Sequence, residues 1–181
     1  MAPSLRRELI SDAYGNVGTL QALAEALCKE EGIFERRPQP HYLTPGPALA
    51  RSREAIAGSM QPRFQGFADA YVAGLRELPA AERRVLCAAI EAICERPDDE
   101  LLSGVSMTRL RFDREATNLS HSQRLGHLGE LERFQSRLDI SPLVMTFNKP
   151  AQQVCLIDRR FLFYRKYGTP RWPWSEPDFN L

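Results

Sequence analysis

Leu143-Val144-Met145-Thr146-Phe147, the interruption Asn148-Lys149-Pro150-Ala151, and Val154-Cys155-Leu156-Ile157 are the residues on which the fold class turns. β-Branched and aromatic side chains favour extended backbone, and Asn with Pro between them is turn chemistry, so the two runs read as antiparallel strands. Phe161-Leu162-Phe163-Tyr164 has the same composition and predicts a third strand, which would complete a small meander. Upstream, the apolar period is helical. Leu5, Leu9 and Ala13 form one stripe; Leu20, Leu23, Ala24 and Leu27 form a second, with Thr19 as the expected N-cap and Gly32 at the end. Leu49, Ile56 and Met60 precede Gln61-Pro62, a predicted break, after which Phe64, Phe67, Ala68, Tyr71, Leu75 and Leu78 resume the pattern. Pro79 opens another helix carrying Val85, Leu86, Ala89, Ile90 and Ile93, and Pro97 closes it. Residues 109–112 suit a short strand and residues 118–122 a loop. Leu128, Leu131, Phe134 and Leu138 predict one more helix, ending before Ser141-Pro142.

The expected architecture is therefore α+β and mainly helical: a helical N-terminal two-thirds, a small antiparallel β-meander, and an irregular aromatic C-terminal strap from Gly168 onward. A boundary near residue 60 would separate a helical segment, 1–60, from a helical and sheet-bearing segment, 61–181; a single domain is the alternative. The 181 residues hold 24 Lys and Arg against 23 Asp and Glu and are 43% hydrophobic, which excludes disorder as the main state. The N-terminal stretch is too polar for a signal-peptide core, and charges interrupt every apolar run within a turn or two. A cytoplasmic chain without membrane association is expected. Cys28, Cys87, Cys94 and Cys155 stand singly, as reduced core thiols do, and no Cys-x-x-Cys or His-x-x-x-His spacing supports a metal. Asp98-Asp99-Glu100 reads as a solvated helix end. Phosphate-binding loops, nucleophile elbows and dinucleotide fingerprints are absent from the sequence, so no cofactor is expected and the chain leans away from enzymes.

The segment richest in chemistry is 159–174. Arg159, Arg160, Arg165, Lys166 and Arg171 alternate there with aromatic residues including Tyr164, Tyr167 and Trp172, and no acidic residue intervenes. Guanidinium groups pair with phosphates and aromatic faces stack on bases, so this mixture predicts contact with nucleic acid, DNA in the first instance. A strand with rings inside and cations outside would have the same composition. Charge leans the same way: residues 101–181 hold 12 basic and 8 acidic side chains, while residues 1–100 hold 12 and 15. Arginine outnumbers lysine 21 to 3, which suits two-pronged phosphate recognition.

Near the N-terminus, two helices lead into Gly32-Ile33-Phe34-Glu35 and then Tyr42-Leu43-Thr44-Pro45-Gly46. These phrases resemble the strands entering and leaving the wing of a winged-helix DNA-binding domain, over about residues 5–58. The resemblance implies a DNA-binding regulator. The exit phrase is one residue tighter than usual, and two helices precede the wing where that family has three. A different class, a small RNA-cleaving toxin-like enzyme, would use His121 and His127 as acid and base with Arg124 as the cation. A third is a protein-interaction module anchored by the aromatic strap around Trp172 and Trp174. Gln135 to Ile140 loosely resembles the peptide that docks bacterial proteins on the replication sliding clamp.

Overall fold

The computed structural model describes residues 1–36, 39, 42–107 and 120–175. Among these the α-helices are α1 Pro3–Asp12, α2 Val17–Glu30, α3 Pro47–Gly74, α4 Ala80–Cys94, α5 Asp98–Ser103, α6 His121–Leu128, α7 Leu131–Arg137 and α8 Arg160–Tyr167. The strands are β1 Val105–Ser106, β2 Met145–Asn148 and β3 Gln153–Leu156, and a 3-10 turn spans Pro173–Ser175. The fold is mainly helical α+β. No helix among the described residues is long and apolar enough to cross a membrane. The chain divides into two compact units, Met1–Pro62 with Arg159–Pro170, and Arg63–Asp158 with the segment beginning at Arg171.

In the first, helical unit, Leu5, Leu9, Leu23, Leu27, Leu43, Leu49 and Ala57 close around Phe163 of α8. The cap of α2 is Asn16, not the expected Thr19: its side chain accepts from the Thr19 N–H at 2.9 Å and the Thr19 hydroxyl at 3.3 Å. Thr19 is thus the third helical residue, and buried. Gly32 ends α2 with φ +65°, while Gly32 N–H donates to the Lys29 carbonyl and Ile33 N–H to that of Cys28, a Schellman closure. Between α2 and α3 the described residues contain no strand, so the two winged-helix phrases lie on turn and irregular backbone.

The second, mixed unit contains the predicted hairpin, with Met145 opposite Leu156 and Phe147 opposite Val154. β1 pairs with the other edge of β3, giving the antiparallel order β1-β3-β2. Gln135 of α7 fixes the start of β2. Its amide nitrogen donates to the Leu131 and Met145 carbonyls at 2.8 and 2.7 Å, and its oxygen accepts from Val144 N–H at 2.7 Å. That use of a buried side chain removes Gln135 from the clamp-like peptide. Tyr71, fully buried, donates its hydroxyl to the Leu86 carbonyl.

Four further local expectations differ from the structure. Gln61-Pro62 does not break α3, which runs through it. The proline leaves the Gly58 carbonyl without its usual donor, but Gly58 is exposed and water can replace the lost N–H. Phe161-Leu162-Phe163-Tyr164 is helical, and β1 is the third strand instead. All four side chains are 0% exposed, whereas β-propensity reflects fit to a half-buried pleated surface. A helix satisfies its own backbone and tolerates burial on every side. The helix expected through Leu128 and Leu138 is two, α6 and α7, separated at Gly129-Glu130. His121 and Ser122 belong to α6 rather than a loop, because Ser120 immediately before them caps the helix in a capping box with Gln123. The strand expected at 109–112 lies outside the described residues, as do Asn118 and Leu119.

Within the mixed unit, a Cβ at Gly74 would clash with one edge of the Phe134 ring, 2.6 Å from Cε1 and 2.7 Å from Cγ, whereas one at Gly66 would meet nothing within 4 Å. Gly74→Ala is expected to cost about 1–3 kcal/mol through overpacking, and Gly66→Ala to be neutral or stabilising by roughly 0.5 kcal/mol. Urea denaturation of the two variants beside the parent checks the contrast.

Candidate nucleic-acid interface

The helical unit is closed by an ionic cluster around Asp12, the last residue of α1. Leu5, Leu9 and Asp12 share the buried face of that helix, which places the carboxylate at 2% exposure. An isolated charge there would be expensive, and three donors compensate it. Arg53 of α3 donates through Nε at 2.8 Å and Nη2 at 2.5 Å to Oδ2, while Lys166 Nζ at 3.0 Å and the Tyr167 hydroxyl at 2.5 Å serve Oδ1. Arg53 also reaches Glu8 at 3.0 Å. Its guanidinium and the Lys166 ammonium each lie 4.9 Å from the centre of the Tyr167 ring, within cation–π range.

Burial pulls the Asp12 pKa upward, but hydrogen bonds from Tyr167, Arg53 and Lys166 outweigh it and hold the carboxyl below 3.8. Burial and the bond to Asp12 both push the Tyr167 hydroxyl above 10.0. For Lys166, burial acts downward, and hydrogen bonds to Tyr167 and Asp12 overcome it, so its pKa rises.

The residues expected to meet nucleic acid therefore have different surroundings. Tyr164 is 0% exposed and cannot offer its ring to a base. Tyr167 and Lys166 serve Asp12, although the lysine side chain keeps 47% of its exposure. Arg160 and Arg165 are half-buried on α8, and both have partners inside the protein. Arg159 is exposed, with Nη1 3.2 Å from where a Cβ on Gly15 would stand, so it lies beside the turn after α1. Arg171 and Trp172 belong to the mixed unit. Arg171 is exposed; Trp172 is half-buried and stacks on Trp174 with centroids 5.4 Å apart at 14°. Trp174 is 8% exposed and meets the Tyr71 ring edge-on.

His121 opens α6, Arg124 follows one turn later, and His127 occupies its last turn. Six residues separate the histidine backbones by about 9 Å along the axis. Among the described residues no group of three or more His, Cys, Asp or Glu converges as metal ligands would. Cys87 is buried, which pushes its thiol pKa up to about 12 and leaves it unreactive.

Sequence reasoning missed the Asp12 cluster, although an acidic residue on the Leu5-Leu9 stripe is a legible sign of a buried charge. It also missed that Phe34 and Tyr42 are 79% and 78% exposed. Comparison with known protein families, characterised proteins and solved structures finds no match.

Two outcomes follow from the cluster. Asp12→Ala, which leaves Arg53 with Glu8 alone, is expected to destabilise the helical unit by about 3 kcal/mol, and Tyr167→Phe, which removes one charge-assisted bond and keeps the ring, by about 1.5–3 kcal/mol. Calorimetry of both variants tests that order. Because the folded pKa of Asp12 is depressed, its contribution is complete above about pH 4 and is lost as pH falls through the folded value. The raised Tyr167 and Lys166 values act oppositely: their contribution is complete below about pH 10 and lost as pH rises further. A pH series of denaturation midpoints should show both limbs, with the acid limb flattened in Asp12→Asn.

Proposed function

We propose that the helical unit is a nucleic-acid-binding module that holds phosphates with arginine side chains. The supporting observation is how charge divides between the structural units. Met1–Pro62 with Arg159–Pro170 holds 11 Lys and Arg against 7 Asp and Glu, and the remainder holds 13 against 16. The surplus of +4 thus belongs to one unit, and the −3 to the other. Within the basic unit, Asp12 and Glu8 face Arg53 and Lys166, and Glu30 pairs with Arg51. Those pairs cancel, and the surplus rests on other cations.

Arg6 and Arg7 are exposed on α1, Arg36 is exposed after α2, and Arg159 is exposed beside the α1–α2 turn. A polyanion gains from such a set through counterion release without needing base-specific contacts. Arg160 and Arg165 add to the field of α8. Arg171 and Trp172 fall on the acidic unit and are given no role in this reading. The same charge division disfavours RNA cleavage by His121, His127 and Arg124, since α6 belongs to the unit of net −3 and would repel the substrate. The strap directs Trp174 inward and stacks Trp172 upon it, which disfavours it as a protein anchor.

With about three phosphate contacts, affinity for a fluorescein-labelled 20-mer should fall roughly tenfold or more between 50 and 200 mM salt. Reversing Arg6, Arg7 and Arg159 to Glu should flatten that dependence and weaken binding. Anisotropy titrations measure both, and absent or salt-insensitive binding to single-stranded and duplex probes overturns the reading.

A further inference from the structure

We propose that the helical unit binds single-stranded nucleic acid in preference to duplex, with unstacked bases resting on Phe34 and Tyr42; this rests on the nucleic-acid reading above and names its substrate class. The rings first expected to stack are Tyr164, Tyr167 and Trp172, and these are buried, bound to Asp12, or covered by another indole. Phe34 and Tyr42, in contrast, are 79% and 78% exposed. Each is held by an anchored neighbour. Ile33 packs on the core and donates its N–H to the Cys28 carbonyl at 2.7 Å; Leu43 is a core residue whose carbonyl accepts from Ala2 N–H at 2.9 Å. The two rings are therefore presented to water by chain fixed on its inner side.

Exposed aromatic rings gain by being covered, and the surrounding charge selects the cover. The exposed Arg36 lies two residues from Phe34 and is offset locally by the exposed Glu31 and Glu35, so the positive charge is a property of the unit as a whole, which carries the +4 surplus. Exposed rings on a unit of net positive charge match a strand of bases on a phosphate backbone, the combination that single-strand binders use. A duplex keeps its base faces stacked inside and offers the rings nothing, so stacking discriminates between the two forms.

The test uses the full chain at 50 mM salt, a labelled 20-nucleotide thymidine oligomer and a labelled 20-base-pair duplex. The single strand should bind about tenfold tighter than the duplex. Phe34→Ala and Tyr42→Ala should each weaken it roughly fivefold or more and leave duplex binding within about twofold, with unfolding midpoints unchanged. In Tyr42→Trp, the added indole should be quenched by the single strand and not by the duplex. Salt-dependent binding that is equal for both forms, or indifferent to the ring variants, overturns the single-strand inference and leaves the nucleic-acid reading standing. No binding of either probe overturns both. A co-purifying polypeptide lost from both ring variants overturns the inference and assigns Phe34 and Tyr42 to a protein contact.

Discussion

One buried carboxylate organises the helical unit. Asp12 is carried inward by α1, and its two oxygens draw donors from α3 and α8, so elements far apart in sequence meet on a single charge. Without those donors the carboxylate would be a liability in an apolar setting; with them it aligns three helices more specifically than aliphatic packing alone. Arg53 is the hinge of the arrangement, because it binds Asp12 and Glu8 and also covers the face of Tyr167.

That same interaction changes the meaning of the cationic aromatic run at the C-terminal end. A string of arginines, lysine and tyrosines is compatible with an outward surface and with an inward clasp, and α8 is partly both. Lys166 and Tyr167 turn toward Asp12, Phe163 enters the core, and Arg159 faces water. Composition alone cannot divide these roles, since each depends on which side of a helix the residue occupies. Charge counted over structural units is more informative than charge counted over sequence halves, because α8 brings its cations to the N-terminal helices.

Much of the fold was legible. The hairpin followed from β-branched runs around Asn148-Lys149-Pro150, and the helices from their 3.6-residue stripes. Where structure and local rule part, the tertiary surroundings decide, through burial in one case and solvent in another. Phe161 to Tyr164 have strand composition but are enclosed on all sides as a helix, and Pro62 sits where its missing bond faces solvent. The candidate site was less legible, for the same physical reason. Exposure of Phe34 and burial of Tyr164 are properties of packing, and two aromatic residues of similar local context cannot be sorted by it. Asp12 is the exception: a carboxylate in register with Leu5 and Leu9 announces that something cationic must come to meet it.

The discontinuity of the helical unit sets an order on its assembly. Residues 159–170 return to it only after residues 63–158 have been made, so a nascent chain emerging from the ribosome has Leu5, Leu9 and Asp12 long before Phe163, Lys166 and Tyr167. Until translation reaches α8, that face of the first helices is open to solvent and its acidic residue lacks two of its three donors. Fragments cut ahead of residue 159 would carry the same gap permanently, which makes them poor stand-ins for the intact unit.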